Sequence, residues 1–250
     1  MLLRPDGDDT IAIGQPAHAW LSGQLARAWS PTQREEVILA AEQHDIGMAA
    51  WDAEPKLNPE TGLPRSFMQL ELDDHLECWS RAARLVLPQS RYAALLVSMH
   101  GTALYERRRN LDDVRVRAFL DGQRELQERL ARGFDPDEVR RDQRLIWTWD
   151  SLSLGLLLGW QPFTLDHVGI EVRDGTLDPW PFLQPRVSVR CEGRRLAGRY
   201  VQEAAMRAAL EAAPWVTLEI ELTAPAMPPA SAGSSTPSAP RSGSSGPESR

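Results

Sequence analysis

Apolar residues recur at helical spacing through residues 15–160, and this pattern predicts a succession of helices. The predicted helices span about 16–29, 32–43, 70–86, 90–104, 111–132 and 136–159. Pro16 suits the first turn of the first helix, and Ser30-Pro31-Thr32 separates that helix from the second. Residues 49–67 contain scattered Pro and Gly, so we expect a long loop there without a continuous element.

The pattern changes after Gly159 to short alternating runs. These predict strands at 168–172, 187–191 and 215–222, and a helix at about 200–213. Residues 224–250 are mostly Ala, Ser, Gly and Pro and have little apolar surface to bury, which predicts disorder. The expected protein is therefore mainly α: a helical domain over 1–160, a small α/β appendage over 161–223 and a disordered tail over 224–250.

Composition narrows the class of protein. The 250 residues are 42% hydrophobic and 25% charged, as in globular proteins, and the net charge of −7 argues against a nucleic-acid partner. Two distant cysteines support neither a disulfide framework nor a thiolate zinc site. The sequence shows no signal peptide or membrane span, so we expect a cytoplasmic protein without a membrane partner. A homodimer is one assembly it allows.

The histidines are the first candidates for chemistry. The chain has five, and four of them fall on the apolar faces of four different predicted helices. These four are His18, His44, His75 and His100. A single inward histidine is more often a hydrogen-bonded core residue than a ligand, so none of the four is informative alone.

Asp150 strengthens the argument because it lies in the middle of an apolar helix face. Its neighbours at helical spacing are Ile146, Trp147, Leu154 and Leu157. An unpaired buried carboxylate costs at least several kcal/mol, so it needs a cation, a hydrogen-bond network or a metal. Arg91 or a tryptophan indole would be a simpler partner. Four inward histidines with one inward aspartate nevertheless favour a metal site between helices.

The order of these residues resembles a known signature. His18, then His44-Asp45, then Asp150 is similar to the H…HD…D pattern of the HD-domain superfamily of metal-dependent phosphohydrolases. The phrases HDIGMAAWD, LLVSMHG and DSLSL further resemble an uncharacterised bacterial HD-like family of unknown function. The resemblance covers roughly residues 12–160. It implies that the helical domain is of the HD type.

The resemblance also implies roles. His18, His44, Asp45 and Asp150 would bind one metal, and in the dinuclear branch Asp45 would bridge to a second metal held by His75 and His100. If His75 is only a core residue, the site is mononuclear, and His100 binds substrate or transfers a proton. Imidazole and carboxylate ligands without thiolate suit Fe, Mn, Co, Ni or Zn.

The long loop after the His-Asp pair offers candidates for substrate binding. Trp51, Asp52, Lys56 and Arg65 could form a lid that recognises a phosphate or carboxylate, since a loop of this length is often functional. The alternative is that its charged residues are ordinary solvated ones. Arg107-Arg108-Arg109 is best interpreted as a solvated helix end.

Three functions are compatible with these residues. The first is a metal-dependent hydrolase of a phosphomonoester or phosphodiester, in which Asp45 and His100 act on metal-activated water and a small anionic substrate. The second is a mixed-valence di-iron oxygenase of the dinuclear HD type. The third is a non-catalytic metal or nucleotide sensor. The glycine-rich phosphate and dinucleotide motifs and GxSxG are absent from the sequence.

Overall fold

A computed structural model of the chain describes residues 1–106 and 112–226. Its helices are α1 (Gln15–Ala28), α2 (Glu35–Gln43), α3 (Ala49–Ala53), α4 (Leu72–Val86), α5 (Arg91–Glu106), α6 (Val114–Leu130), α7 (Pro136–Leu158) and α8 (Glu203–Ala212). Its strands are β1 (Leu2–Asp6), β2 (Asp9–Ile13), β3 (Leu57–Asn58), β4 (Leu63–Pro64), β5 (Phe163–Leu165), β6 (Ile170–Arg173), β7 (Thr176–Asp178), β8 (Arg186–Leu196) and β9 (Trp215–Thr223). Short 3-10 turns cover Ile46–Met48 and Phe67–Gln69.

The predicted helices of the first 160 residues are confirmed, with ends that differ by at most three residues. Local signals explain this agreement. In α7, the Asp135 side chain accepts a hydrogen bond from the Asp137 backbone N–H, Pro136 fills the first turn, and Gly159 ends the helix at φ 69°. These residues fix both ends of the helix that carries Asp150.

The prediction of a mainly α protein is wrong. The chain folds as an α/β protein with a seven-stranded mixed sheet of order β1-β2-β8-β9-β7-β6-β5, in which β7 and β9 are parallel and the other pairs antiparallel. A small appendage cannot describe this sheet, because its first two strands come from residues 2–13. The helical region and the C-terminal segment therefore share one sheet, and the domain division at residue 160 stays a prediction.

The sequence pattern does not predict strands β1 and β2, because each has only a weak local signal. β1 and β2 are five residues each, and β1 contains a proline and ends in Asp6, which weakens any strand pattern. Their stability comes from tertiary pairing, since Thr10 of β2 lies opposite Leu196 of β8. The sequence predicts only 187–191 of β8, although burial alternates from Arg186 through Gly193 and the strand continues through two arginines to Leu196.

Helices α2 and α7 contact each other, and each also contacts α1 and α5, so these four helices pack together. α1 contacts α2, α7 and β8, while α5 contacts α2, α4, α6 and α7. The loop predicted over 49–67 holds only the short α3, the β3–β4 hairpin and the start of a 3-10 turn. Within the described ranges, no helix combines the length and apolar character needed to cross a membrane. The run Arg107-Arg108-Arg109 and residues 227–250 of the predicted tail lie outside the described residues.

Candidate metal centre

The four histidines predicted to point inward are all buried, as is Asp150. α1 carries His18 and α5 carries His100. His44 follows the last residue of α2, so the helix end places Asp45 in the turn beside it. The burial predicted from helical spacing is confirmed.

The ligand atoms of two histidines and two aspartates converge. His18 Nε2 lies 3.1 Å from His44 Nε2, 3.1 Å from Asp45 Oδ2 and 3.3 Å from Asp150 Oδ1. His44 Nε2 lies 3.4 Å from Asp150 Oδ1 and 3.6 Å from Asp45 Oδ2. These separations are those expected between atoms that share one metal at about 2.0–2.2 Å. Of these, His18, His44 and Asp150 form one group that could therefore hold a metal ion.

Hydrogen bonds on the far side of both rings fix the imidazole protons. His44 Nδ1 lies 2.8 Å from the Ala41 carbonyl, which can only accept, so Nδ1 carries the proton. His18 Nδ1 lies 2.6 Å from Ser153 Oγ, and the Ser153 hydroxyl donates to the Asp150 carbonyl at 2.9 Å. Ser153 Oγ therefore accepts from His18. In their neutral forms both rings turn an Nε2 lone pair toward the aspartates, as metal-binding histidines do.

Two lone pairs and two carboxylates at this spacing require a positive charge between them. Burial lowers the pKa of His18, but hydrogen bonds with Asp150 and Asp45 outweigh it and raise that pKa to about 9. Burial raises the pKa of Asp150, but His18 and His44 bring it far below its usual range. For Asp45, burial is again outweighed by His44 and His18, and the pKa is lowered. The cluster therefore attracts a cation, either a proton or a metal.

His100 completes a second, overlapping group with His44 and Asp45, whose ligand atoms also lie within metal-binding range of one another. Its Nε2 is 3.7 Å from Asp150 Oδ2, and its ring packs against Trp79 with centroids 5.6 Å apart. Burial, followed by the charge of His44, lowers the pKa of His100 to about 4. His100 is therefore neutral at physiological pH.

His75 lies beside this cluster but belongs to neither ligand group. The Trp79 indole N–H donates to His75 Nε2 at 3.2 Å, and His75 Nδ1 is hydrogen-bonded to the Tyr105 hydroxyl. Both ring nitrogens thus have aromatic partners. Its role as a ligand of a second metal stays a prediction.

The cluster opens into a small, partly open cavity of about 60 Å³. A water molecule occupies roughly 30 Å³ in the liquid, so the space suits about two waters or one small group. The lining residues are Gln15, His18, Asp45, Met48, Phe67, His75, Trp79, His100, Leu104, Asp150 and Leu154. Apart from histidine, none of these described residues has a cationic side chain.

The charged loop residues proposed to bind substrate do not line this cavity. Lys56 Nζ pairs with Asp74 Oδ2 at 2.5 Å, and Arg65 pairs with Glu71 at 2.8 Å. These partially exposed pairs stabilise the loop against the start of α4. Their role in binding an anion stays a prediction.

Trp51 and Asp52 also lie outside the cavity lining, although Asp52 has a clear structural contact. The Asp52 carboxylate accepts from the Gln15 backbone N–H and from the Met1 amino group, the latter at 2.6 Å. It therefore holds the first turn of α1, three residues before His18. Trp51 Nε1 is buried without a hydrogen-bond partner among the described residues.

The model of one protein family matches residues 1–198, described as "Protein of unknown function (DUF3891)". The chain belongs to this DUF3891 family. The match contains every residue of the cluster and the strands from β1 through β8, and its description names neither an activity nor an HD domain. No curated protein and no solved structure matches the chain.

Sequence reasoning missed three residues that shape the site in this DUF3891 protein. Ser153 binds His18 Nδ1, Ser22 donates to the Ser153 hydroxyl at 3.0 Å, and Gln15 lines the cavity. All three share a helix face with a ligand, because Ser153 is one turn after Asp150, Gln15 is one turn before His18 and Ser22 is one turn after His18.

The Ser153→Ala variant should lower metal affinity about 10- to 100-fold, because it removes the acceptor that orients His18. A competitive titration with a metal indicator measures this change. Ser151→Ala, two residues away on α7 and outside the cavity lining, is the control and should bind metal like wild type. Equal affinity in all three proteins would contradict this account of the His18 orientation.

The Gly47→Ala variant should destabilise the turn that presents Asp45. A Cβ at Gly47 would lie 2.2 Å from the Cys78 carbonyl oxygen of α4, so the turn must shift, at a cost of about 1–3 kcal/mol. Chemical denaturation measures the loss, and metal affinity should fall with it. Gly122→Ala is the control, because its Cβ meets nothing within 4 Å and alanine favours the helix. Equal stability of the two variants would exclude the steric argument.

Proposed function

We propose that this protein is a metal-dependent hydrolase of a phosphomonoester or phosphodiester, with one divalent metal held by His18, His44, Asp45 and Asp150. The main support for the proposal is that His18 Nε2 and His44 Nε2 lie 3.1 Å apart, while the Nδ1 atom of each ring is hydrogen-bonded elsewhere. Two carboxylates beside them complete a donor set of nitrogen and oxygen. Fe, Mn, Co, Ni and Zn all suit such a set.

A single ion is favoured over two. The two ligand groups share His44, whose Nδ1 is bound to a backbone carbonyl and whose Nε2 can bind only one ion. His75, the residue needed for a second ion, has aromatic partners at both nitrogens. One ion cannot form a mixed-valence pair, and this supports hydrolysis over the di-iron oxygenase.

The bound metal would lower the pKa of a coordinated water and stabilise negative charge on a phosphoryl group. The protein side chains supply the remaining functions. Asp45, beside His18 in the cluster, would orient that water, and His100, which is neutral at physiological pH, would exchange a proton with the substrate. Because the cavity is small and its non-histidine lining has no cation, only the reacting group of the substrate would enter it.

The test is hydrolysis of p-nitrophenyl phosphate and bis-p-nitrophenyl phosphate by metal-free protein reloaded with each candidate metal. We expect turnover with at least one metal, none after chelation, and the same rate without oxygen. Oxygen-dependent turnover with two irons per chain would favour the oxygenase instead. Metal binding without turnover of either ester would contradict this hydrolase proposal and favour a sensor.

Metal affinity should rise with pH. The pKa of His18 is about 9 in the metal-free protein, so His18 is protonated at pH 7 and the metal must displace that proton. Burial lowers the pKa of His44, but Asp45 and Asp150 outweigh burial and raise it, so a second proton adds to the effect. The apparent affinity therefore increases at least about tenfold per pH unit up to about pH 9 and then levels off. Titration with Mn(II) at several pH values measures the slope. A flat profile below pH 8 would show that no proton is displaced.

A further inference from the structure

Gln15 is a buried polar residue that lines the cavity and is not one of the proposed metal ligands. It is the first residue of α1 and is 4% exposed. Its backbone N–H donates to Asp52, so its position is fixed independently of its side chain. It lies one turn before His18, so its side chain lies on the same helix face.

The Gln15 side-chain oxygen has no hydrogen-bond partner among the described residues. Leaving a buried acceptor unpaired costs about 1–3 kcal/mol, so such an atom needs an explanation. His100 Nδ1 is also buried without a described partner, and both residues line the same cavity of about 60 Å³. Two unpaired polar atoms beside a space for about two waters indicate a bound molecule that can both donate and accept hydrogen bonds.

We propose that Gln15 is a positioning residue whose Oε1 accepts a hydrogen bond from the water that completes the coordination of the metal. The inference rests on the proposed metal site. An amide oxygen cannot take the proton from water, so Gln15 would orient the water and leave proton removal to another group. With one hydrogen held by Gln15, the water would have one fixed orientation in the cavity.

This role makes a prediction about water acidity. A hydrogen bond from the water to a neutral carbonyl stabilises the protonated form, because hydroxide is the weaker donor. Removing that acceptor should lower the pKa of the metal-bound water. Replacing it with a carboxylate should raise that pKa, since the negative charge disfavours hydroxide.

The experiment uses the full chain loaded with Co(II), whose visible spectrum reports ionisation of the bound water. Gln15→Leu should bind cobalt within about threefold of wild type, while the midpoint of its spectral pH titration falls by about half a unit or more. Gln15→Glu should raise the midpoint. Met48→Leu is the control, because Met48 lines the same cavity without a hydrogen-bonding amide. Its midpoint should equal that of wild type.

Hydrolysis of p-nitrophenyl phosphate provides a second measurement. In Gln15→Leu we expect kcat to fall about tenfold or more with little change in KM. An unchanged midpoint in Gln15→Leu would overturn the inference. So would a tenfold loss of cobalt affinity, since Gln15 would then be a ligand or a structural residue.

Different results would overturn the hydrolase proposal and the role of Gln15. If wild type binds cobalt and titrates but hydrolyses no ester, the hydrolase proposal fails, and the midpoints of the Gln15 variants still decide this inference. If wild type binds no cobalt, both fail. Thermal unfolding of each variant shows whether it is folded, so that loss of structure is not taken for loss of a contact.

Discussion

The Asp150→Asn variant should retain less than a tenth of the metal bound by wild type under the same conditions. Asp150 Oδ1 lies 3.3 Å from His18 Nε2 and 3.4 Å from His44 Nε2, so its carboxylate is a central member of the donor set. Asparagine keeps the shape but removes the negative charge that attracts a divalent cation. We expect affinity to fall at least a hundredfold, measured by elemental analysis and calorimetric titration.

Asp142→Asn is the matched control for this variant. Asp142 is a buried aspartate on the same helix, bound to Arg34 at 2.9 Å, Tyr92 at 2.7 Å and Arg141 at 2.8 Å. Its replacement should lower the free energy of unfolding without changing the metal content. If both variants lost metal equally, the effect would come from general destabilisation of α7, and Asp150 would not be assigned as a ligand.

Metal binding should stabilise the fold substantially. A ligand that binds only the folded state at about 100 times its Kd adds about 2.7 kcal/mol to the free energy of unfolding. For a chain of this size that corresponds to a rise in Tm of roughly 5–10 °C. Thermal unfolding with saturating metal and after removal of metal by a chelator measures the difference.

The Asp150→Asn variant shows whether the stabilising metal binds at the cluster or at another site. In Asp150→Asn the same addition of metal should leave Tm nearly unchanged. A rise equal to that of wild type would place the stabilising ion elsewhere on the chain. The comparison needs no substrate, so it tests the metal centre independently of the proposed reaction.

Helical spacing predicted the buried residues of the site well. His18, His100 and Asp150 each sit on a continuous helix, where local neighbours define the inward face. Asp45 is different, because it lies in the turn after α2 and no periodicity extends there. Its place in the cluster was implied only by the resemblance to the H…HD…D order.

The sheet shows the limit of local patterns. The β1–β2 hairpin joins the sheet through pairing of residues 10–12 with 194–196, a contact between distant parts of the chain. Short strands of mixed polarity acquire their structure from such partners, as β2 does from β8. For the same reason the sequence did not predict the ion pairs of the loop. Lys56 pairs with Asp74 and Arg65 pairs with Glu71 only once the loop folds against the start of α4.

The orientation of the imidazoles also depended on the fold. Ser153 and the Ala41 carbonyl determine which nitrogen of each ring faces the cluster. A serine one turn after an aspartate is too common to be singled out from one sequence. In the fold, Ser153 accepts a hydrogen bond from His18 of α1. This contact directs His18 Nε2 toward the aspartates, which makes His18 a candidate ligand.

The most direct test of the metal centre is the stoichiometry of metal bound by the purified wild-type chain. Metal-free protein is titrated with Co(II) by calorimetry, and the dialysed product is analysed for its elements. We expect one ion per chain. An absence of bound ion under metal-replete conditions, or two ions of equal affinity, would contradict the assignment of a single metal centre.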